Sequence, residues 1–525
     1  MAAARLNGDV LPEPDARAAA ALADDLSAAG YASAAVRAAW GDDADDAIAR
    51  GLHRPALRAL GERRDPLAVL ARLFVLGVPQ PAPDVAGAVP TAGLDGLVQL
   101  GLVADAAAAG DPAGGGGRSI RPLVLIRPQS FADAGGEVEW WIASDLDEAA
   151  LGGSLPVEHV LGVGGASRTL AGIQLPTPTV SVLDMGTGCG IQALRARRHA
   201  ETVLATDISE RALRFTRLNA LLNGVTDIVT ARGTLFEPAR DEAFDRIVSN
   251  PPFVITPRRD GVPEYEYRDG GMVGDALVEA VIAGVGARLK PGGVAQLLGN
   301  WESRGDVDGL DRVRGWVARS PVPLDAWVIA RENLDPIAYA ELWIRDGGTV
   351  PSDPAFAGLM DAWLDDFATR DVTEVGFGYV LLRRPVDGTV SLSRYEAVWQ
   401  SLGDEAIGGH LAAALAAHDR ATALDDAGIA ASVLKAAPDV TEARHQLPGA
   451  EDPTVIELRQ GGGFARTLSV DPALAGLVGA CDGDLPVGVL IDAIAQLLEV
   501  DAVELRADLL PRVRELLFTG FLVFA

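Results

Sequence analysis

A glycine-rich turn in the middle of the chain constrains the fold more than any other feature of the sequence. The run Val182–Gly190 (VLDMGTGCG) reads as an apolar strand, a bend with glycine at every second position, and the start of a helix. Glycines at such a bend let the backbone approach a ligand where a Cβ atom would collide. Asp207 ends the next predicted strand, where a carboxylate can accept hydrogen bonds from both ribose hydroxyls. The pattern predicts a nucleoside site at the end of the first strand of a parallel sheet.

Strand and helix patterns alternate from Thr179 to Arg384. This alternation indicates βαβ units and an α/β fold with a mainly parallel, doubly wound, Rossmann-like sheet of seven strands. The predicted strands are 180–183, 203–206, 227–231, 246–249, 294–298, 326–330 and 378–382. The predicted helices are 191–199, 210–222, 274–289 and 307–318. A helical insertion rich in tryptophan, Asp335–Asp371, separates the last two strands and either covers the site or pads the edge of the sheet.

A second motif, Asn250-Pro251-Pro252-Phe253, directly follows the fourth predicted strand. Ligands of such sheets bind beyond the carboxyl ends of the strands, so this loop should lie near the glycine turn. The side-chain oxygen of Asn250 and the backbone carbonyl of Pro251 can accept hydrogen bonds from a planar NH₂ group. The two prolines stiffen the loop, and Phe253 can stack on a flat ligand. An Asn-Pro-Pro run can also be an ordinary turn, but its position at a strand end favours a functional interpretation.

From Thr179 to about Leu298 the chain resembles the small-domain methyltransferases. These include the HemK-type release-factor glutamine methyltransferases and the rRNA guanine and tRNA adenine N-methyltransferases. The G-x-G-x-G spacing fits this superfamily better than the G-x-G-x-x-G of dinucleotide sites. The resemblance implies S-adenosylmethionine as cofactor and methyl transfer to a planar nitrogen. The sulfonium is already activated, so the protein mainly positions the nucleophile, and acceptors at Asn250 and Pro251 would free the lone pair of a conjugated nitrogen.

The resemblance also assigns roles to particular residues. Gly164–Leu170 is similar to the lid before the first strand, in which Thr169 would face the cofactor. Tyr267–Gly274 is similar to the Asp-Gly-Gly stretch of the HemK type, which favours a glutamine-like amide as acceptor. Thr234 stands where the family usually has Asp or Asn, which leaves only a hydroxyl to reach the adenine amino group. Leu235 either lines the adenine slot or belongs to the core.

The expected site has a cofactor part and a catalytic part. The expected cofactor-binding residues are Thr169, Asp184, Gly186, Thr187, Gly188, Gly190, Asp207, Ile208, Thr234, Leu235 and Asn250. The expected catalytic residues are Asn250, Pro251, Pro252 and Phe253. No metal ligand is expected.

We expect three domains, 1–150, 151–385 and 386–525. The first and the third lie on either side of the domain that contains the two motifs. The first has the order of a winged helix, with helices predicted at 67–76, 82–88 and 94–102 and strands at 120–126 and 138–144. Such a domain would recognise nucleic acid or protein, or pack at the catalytic mouth. Packing is favoured because the third helix carries no Arg/Lys cluster.

The last region is predicted to be mainly helical, and from Val455 onwards it resembles a small winged helix of the peptide-carrier kind. The predicted helices are 395–402, 406–418, 428–436, 487–498 and 501–519. The predicted strands are 455–459, 464–470 and 521–524.

Composition limits the possible partners and the compartment. The 525 residues carry a net charge of −28, so nucleic acid and anionic membranes should be repelled unless basic residues cluster locally. The two cysteines make neither a disulfide framework nor a zinc site. The first twenty residues do not have the pattern of a signal peptide, and no apolar run is long enough to span a bilayer. We therefore expect a cytoplasmic protein with no membrane partner.

Several functions are compatible with these patterns. The favoured one is S-adenosylmethionine-dependent N-methylation of a planar amino or amide nitrogen, with a protein or peptide glutamine as substrate. A second candidate substrate is an exocyclic amine of adenine or guanine in RNA or DNA, for which Arg258, Arg259 and Arg268 would form a local basic patch. A solvated loop is the plainer interpretation of these arginines. The protein could also be a non-enzymatic scaffold or cofactor sensor, or a nicotinamide oxidoreductase, and the intact Asn250–Phe253 motif argues against the scaffold.

Overall fold

The structure is a computed structural model of the chain, and it describes residues 11–106, 118–133, 136–152, 155–263, 265, 268–401, 407–449 and 452–525. The chain divides into two compact units. The first comprises Met1–Ala171 and Pro178–Ala397, and the second comprises Gly172–Thr177 and Val398–Ala525. Tyr267, which belongs to the predicted Asp-Gly-Gly stretch, lies outside the described residues.

The first unit begins with a largely helical region. Its helices are α1 (Ala16–Ala28), α2 (Ser33–Trp40), α3 (Asp42–Ile48), α4 (Arg54–Leu60), α5 (Pro66–Leu70, continued by a π-helical turn over Ala71–Val75), α6 (Ala82–Ala88), α7 (Gly93–Gln99) and α8 (Glu148–Leu151). Its strands are β1 (Gln80–Pro81), β2 (Val103–Asp105), β3 (Ser119–Pro122), β4 (Val124–Asp133) and β5 (Gly136–Asp145). The first three form an antiparallel sheet in the order β1-β3-β2, and β4 and β5 form a separate hairpin. The predicted strand 120–126 is therefore divided between these two sheets.

The centre of the first unit is a mixed sheet with helices between its strands. Its strands are β6 (Thr179–Met185), β7 (Ala200–Asp207), β8 (Ile228–Arg232), β9 (Phe244–Ser249), β10 (Leu289–Arg304), β11 (Asp325–Leu334), β12 (Val372–Arg383) and β13 (Ser393–Ala397). The helices are α9 (Gly165–Ile173), α10 (Ile191–Arg197), α11 (Glu210–Leu222), α12 (Ala276–Val285), α13 (Gly309–Ala318), α14 (Pro336–Asp346) and α15 (Ala355–Thr369). All seven predicted strands are present, in a Rossmann-like arrangement.

The order of the strands brings both sequence motifs to one edge of the sheet. The order is β13-β11-β12-β10-β9-β6-β7-β8, and β10, β9, β6, β7 and β8 run parallel. β12 is antiparallel to both of its neighbours. Because β9 lies directly beside β6, the loops that leave their carboxyl ends are adjacent.

The sheet has eight strands rather than the seven predicted, and the eighth corrects a predicted helix. Residues 393–397 form β13, which pairs in parallel with Ala326–Ala330 of β11, whereas the local pattern predicts a helix over 395–402. The Trp327 indole N–H donates to Glu396 Oε1 at 2.8 Å, and the Arg314 guanidinium lies over the Tyr395 ring at 4.5 Å. These partners are distant in sequence, so the local pattern of Glu and Ala, which favours a helix, does not decide the outcome.

The second unit combines helices with short strands. Its helices are α16 (Gly408–Thr422), α17 (Asp426–Ala431), α18 (Pro472–Ala480), α19 (Val487–Leu498) and α20 (Ala502–Thr519). Its strands are β14 (Val433–Ala436), β15 (Val440–His445), β16 (Val455–Gln460), β17 (Thr467–Val470), β18 (Asp482–Pro486) and β19 (Leu522–Phe524). The predicted helix 428–436 is wrong in its second half, because 433–436 pair with β18 and β19 and bury Leu434.

Across the ranges that the structure describes, no helix has both the length and the apolar character needed to cross a bilayer.

Candidate functional site

The glycine turn after β6 presents backbone at the carboxyl edge of the sheet. Its three glycines have positive φ, 74° at Gly186, 55° at Gly188 and 86° at Gly190, a conformation that other residues rarely adopt. The N–H groups of Gly186 and Thr187 both donate to the Thr206 carbonyl oxygen at 2.9 Å. These bonds fix the turn to the end of β7.

One side of the turn is packed and the other is open. A Cβ on Gly190 would lie 2.9 Å from Cγ2 of Thr216, which is on α11. A Cβ on Gly188 would meet no atom of the described structure within 4 Å. The open side is where a ligand can contact bare backbone.

Two carboxyl groups lie under and beside the turn. Asp184 is fully buried and accepts a hydrogen bond from Thr187 Oγ1 at 2.6 Å, and burial raises the pKa of its carboxyl to about 7. At the end of β7, one oxygen of Asp207 accepts the Gly188 N–H at 3.0 Å and the other accepts the Ser209 N–H at 2.9 Å. Burial also raises the pKa of Asp207. Each Asp207 oxygen keeps a lone pair that can accept a ligand hydroxyl.

A single cavity joins the two predicted motifs. Eight of the predicted cofactor residues and all but one of the predicted catalytic residues line it. The predicted residues in its lining are Gly186, Thr187, Gly188, Asp207, Ile208, Thr234, Leu235, Asn250, Pro251 and Pro252. Leu235 has a φ of +46°, and such strain in a non-glycine residue is often found at ligand sites.

Four predicted residues lie outside the lining of the cavity: Thr169, Asp184, Gly190 and Phe253. Asp184 and Gly190 support the turn from behind, as described above. The Phe253 ring packs on Phe377, with 5.1 Å between the ring centroids, and its backbone bridges to Asp269. On α9 it is Ser167, not Thr169, that reaches the cavity.

The acceptor motif brings an unpaired polar atom to this cavity. The Asn250 side-chain oxygen is buried and has no hydrogen-bond partner among the described residues. The Asn250 carbonyl oxygen lies 4.0 Å from the position of a Cβ on Gly186. A buried acceptor without a partner is costly for a fold to keep, so this oxygen is a candidate for binding a ligand N–H.

One wall of the cavity contains none of the residues predicted from the sequence. Residues 159–162 line it between α8 and α9, in a stretch without a recognisable motif. The Val160 N–H donates to Asp145 Oδ2 at 2.9 Å, and the Asp145 N–H donates to the Val160 carbonyl at 3.1 Å. Gln192 lines the cavity as well, and its Nε2 donates to the Ser167 carbonyl at 2.7 Å. The contact with the end of β5 helps to place residues 159–162, and no local pattern signals it.

The three arginines near the acceptor motif are neutralised by acidic partners. Arg258 makes an ion pair with Asp269, which itself lines the cavity. Arg259 lies 3.0 Å from an oxygen of Asp365, and Arg268 lies 2.8 Å from one of Asp346. A basic patch at the mouth of the site is therefore not formed by these residues. Nor does any group of three or more His, Cys, Asp or Glu side chains in the described ranges have the arrangement of a metal site.

Three family models match the chain. Residues 163–304 match the methyltransferase small domain, residues 28–113 match a domain of unknown function (DUF7059), and residues 415–524 match another (DUF7782).

Curated relatives are similar to part of this chain. The release factor glutamine methyltransferase of Xylella fastidiosa is 36% identical over 146 residues, which cover 26% of this chain and 53% of the relative. The ribosomal protein uL3 glutamine methyltransferase of Bradyrhizobium diazoefficiens is 34% identical over 140 residues, 25% of this chain and 44% of the relative. The release factor glutamine methyltransferase of Deinococcus radiodurans is 32% identical over 192 residues, 35% and 66% of the two chains.

The chain spans about half the length of the first two of these relatives. Residues 163–304, which match the methyltransferase small domain, contain the glycine turn, Asp207 and the Asn250–Phe253 motif. The chain is thus similar over this segment to a methyltransferase small domain, and part of it is similar to release-factor and ribosomal-protein glutamine methyltransferases.

Proposed function

We propose that the protein is an S-adenosylmethionine-dependent N-methyltransferase whose substrate is the side-chain amide of a glutamine in another protein. The observation that carries this proposal is the buried, unpartnered side-chain oxygen of Asn250, a residue of the cavity that the glycine turn also lines. A cofactor bound to the turn and an NH₂ group bound to Asn250 would be neighbours in that cavity.

The residues of the cavity fit the proposed cofactor. The open space above Gly188 accepts a group that contacts backbone. The Asp207 oxygens can accept both ribose hydroxyls, and Ile208 and Leu235 offer apolar surface to an adenine ring. Bound there, S-adenosylmethionine would supply an electrophilic methyl group on a sulfonium.

The acceptor loop would prepare the nitrogen of the substrate. An amide NH₂ is a poor nucleophile because its lone pair is delocalised into the carbonyl group. The Asn250 side-chain oxygen and the Pro251 carbonyl oxygen would each accept one of its N–H bonds, which orients the nitrogen and localises its lone pair. Positioning of this kind is the main contribution a protein can make when the electrophile is already activated. The two prolines would hold both acceptors in place. The methylated nitrogen would be cationic and strongly acidic, so its proton would pass to water without a general base.

Two observations favour a protein over a nucleic acid as substrate. Two relatives that match part of this chain are named glutamine methyltransferases, of a release factor and of a ribosomal protein. Arg258, Arg259 and Arg268 are each paired with an acid, and the chain carries a net charge of −28. Both features disfavour a polyanion at the mouth of the cavity.

We also propose that the chain comprises three domains, 1–150, 151–385 and 386–525, that the first is winged-helix-like, and that the third begins with a segment whose strand β13 completes the central sheet of the second. The order α5, β1, α6, α7, β2, β3 and the antiparallel sheet β1-β3-β2 support this assignment. A winged-helix-like first domain would favour the second candidate substrate, a base amine in RNA or DNA, because winged helices can bind nucleic acid.

The test is to replace Asn250 by Ala. The variant should bind S-adenosylhomocysteine in calorimetric titration within about 3-fold of the wild type, and should lose on the order of 100-fold in methyl transfer, the scale of one lost transition-state hydrogen bond. The acceptor class follows from labelling a lysate with tritiated cofactor and splitting the product between protease and nuclease. Label released by nuclease would refute the glutamine assignment, and an Asn250→Ala variant with full turnover would refute the role of the motif.

A further inference from the structure

We propose that Asn219 is a positioning residue for the cofactor turn, and that it couples this turn to the β4–β5 hairpin of the N-terminal region. The inference rests on the proposed function in one respect, that the ligand of the turn is S-adenosylmethionine or its product. It adds a role for the N-terminal region, whose hairpin would be part of the cofactor site.

The Asn219 amide is completely buried in α11 and links two otherwise separate backbones. Its Oδ1 accepts the Ala143 N–H at 2.7 Å, and its Nδ2 donates to the Ala143 carbonyl at 2.9 Å. The same Nδ2 donates to the Cys189 carbonyl, inside the glycine turn, at 2.8 Å. Both N–H bonds and the oxygen of the amide are therefore used, by β5 on one side and by the turn on the other.

Asn223, one helical turn later, makes the same contact with β5 but not with the cofactor turn. Its Oδ1 accepts the Trp141 N–H at 2.9 Å, and its Nδ2 donates to the Trp141 carbonyl at 2.9 Å and to the Asn219 carbonyl at 2.8 Å. Trp141 and Ala143 are two residues apart, so their N–H and C=O groups face the same edge of the strand. The two asparagines bond to this edge as a neighbouring strand would.

A second side chain of α11 holds the turn next to the Asn219 contact. Thr216 Oγ1 donates to the Gly188 carbonyl at 3.1 Å. With the Cys189 carbonyl bound by Asn219, two successive carbonyls of the turn are bonded to α11. These bonds fix the peptide groups that carry the Cys189 and Gly190 N–H, and the Gly188 N–H of the preceding peptide group donates to Asp207. Loss of the Asn219 amide would free the Cys189 peptide to rotate and would disturb the surface that the ligand contacts.

The hairpin also holds the opposite wall of the cavity. Asp145, the last residue of β5, is bonded to Val160 through its backbone and its side chain, and Val160 lines the cavity. The Asp145 carboxylate accepts the Arg211 Nε–H at 2.9 Å, and Arg211 is in α11. A ligand in the cavity would thus contact two walls that are both bonded to β5. Coupling of this kind is reciprocal, so cofactor binding should order the hairpin as much as the hairpin orders the site.

Two matched variants of the full chain test the inference. Asn219→Ala and Asn223→Ala each remove the pair of hydrogen bonds to β5, and only the first also removes the bond to the cofactor turn. In calorimetric titration with S-adenosylhomocysteine, we expect the Kd to rise about tenfold in Asn219→Ala, the effect of one lost hydrogen bond. It should change less than about 3-fold in Asn223→Ala. An equal Kd in the wild type and Asn219→Ala would overturn the inference, as would equal weakening in both variants.

Hydrogen exchange on the wild-type protein gives an answer that does not depend on either variant folding. Saturating S-adenosylhomocysteine should slow exchange of the Trp141 and Ala143 amide hydrogens at least about 3-fold, because the coupling between ligand and hairpin acts in both directions. Unchanged exchange at both amides would overturn the inference while leaving the proposed function intact. Failure of the wild type to bind the ligand at all would instead overturn the proposed cofactor.

Discussion

Burial of Asp184 should make the stability of the protein depend on pH where most aspartates are already ionised. Its folded-state pKa is raised by burial to about 7, from an ordinary value of 3.8. A group with a raised folded pKa contributes its full stability below the unfolded pKa and loses it as the pH rises through the folded pKa. The contribution of Asp184 should therefore decline between about pH 4 and pH 7.

An Asp184→Asn variant tests this pH dependence, because Asn keeps an acceptor for Thr187 Oγ1 and cannot ionise. From urea unfolding at pH 5 and pH 7, the wild type should lose about 2 kcal/mol more than the variant over this interval, from about 1.4 kcal/mol for each pKa unit of difference. Parallel losses in the two proteins would mean that Asp184 is already ionised in the folded state at pH 5.

Single residues also show which parts of the site can be predicted from the sequence and which cannot. The glycine turn, Asp207 and Asn250 reach one cavity because parallel strands bring their carboxyl ends to the same edge, and the strands are readable from local patterns. Phe253 lies outside the lining because its ring packs on Phe377, which belongs to a strand far along the chain. The wall at 159–162 is placed by a bond to Asp145 and has no pattern of its own.

At the scale of elements, the insertion α14–α15 is joined to the acceptor loop by one buried hydroxyl. Tyr339 of α14 accepts the Ile255 N–H at 3.1 Å and the Asn300 Nδ2–H at 2.7 Å. Its ring packs among Trp343, Trp363 and Phe367. The insertion therefore supports the chain that leaves the Asn250–Phe253 motif.

Replacing Tyr339 by Phe should leave the Ile255 N–H buried without an acceptor. We expect the free energy of unfolding to fall by about 1–3 kcal/mol, measured by chemical denaturation. Ile337→Ala on the same helix is the control, because Ile337 is 60% exposed and such surface changes usually stay within about 0.5 kcal/mol. If the two variants are equally stable, the hydroxyl does not hold the loop.

Elements with strong local patterns are predicted well from the sequence, and those that depend on distant pairing are not. Helix α11 follows the prediction to the residue: Ser209 caps its first turn, and its apolar residues recur at helical spacing. The sequence of β13 predicts a helix, because only the free edge of β11 makes it a strand. The sequence of β14 likewise predicts a continuation of helix α17. This segment is a strand because it pairs with β18 and β19, which come from the end of the chain.

At the scale of the whole molecule, charge should keep the protein away from nucleic acids. With a net charge of −28 and the arginines near the site paired with acids, little counterion release is available to drive binding. Fluorescence anisotropy with a labelled RNA of about 20 nucleotides and a DNA duplex at physiological salt should give no saturation up to about 100 μM protein, the weak end of non-specific affinities. Binding with a micromolar Kd that rises steeply with salt concentration would contradict this expectation and would favour a base amine of nucleic acid as the substrate.

The path of the chain has a consequence for biosynthesis. Residues 172–177 belong to the second unit, although they comprise the last two residues of α9 and part of the link to β6, and are translated more than two hundred residues before the rest of that unit. Gly408 lies so close to this segment that a Cβ would be 2.0 Å from the Gln174 carbonyl oxygen. At ribosomal speeds of about 5–20 residues per second, the segment waits on the order of 10–40 s for its partners to emerge. In a nascent chain, residues 172–177 therefore lack the rest of their unit throughout the interval in which the central sheet is translated.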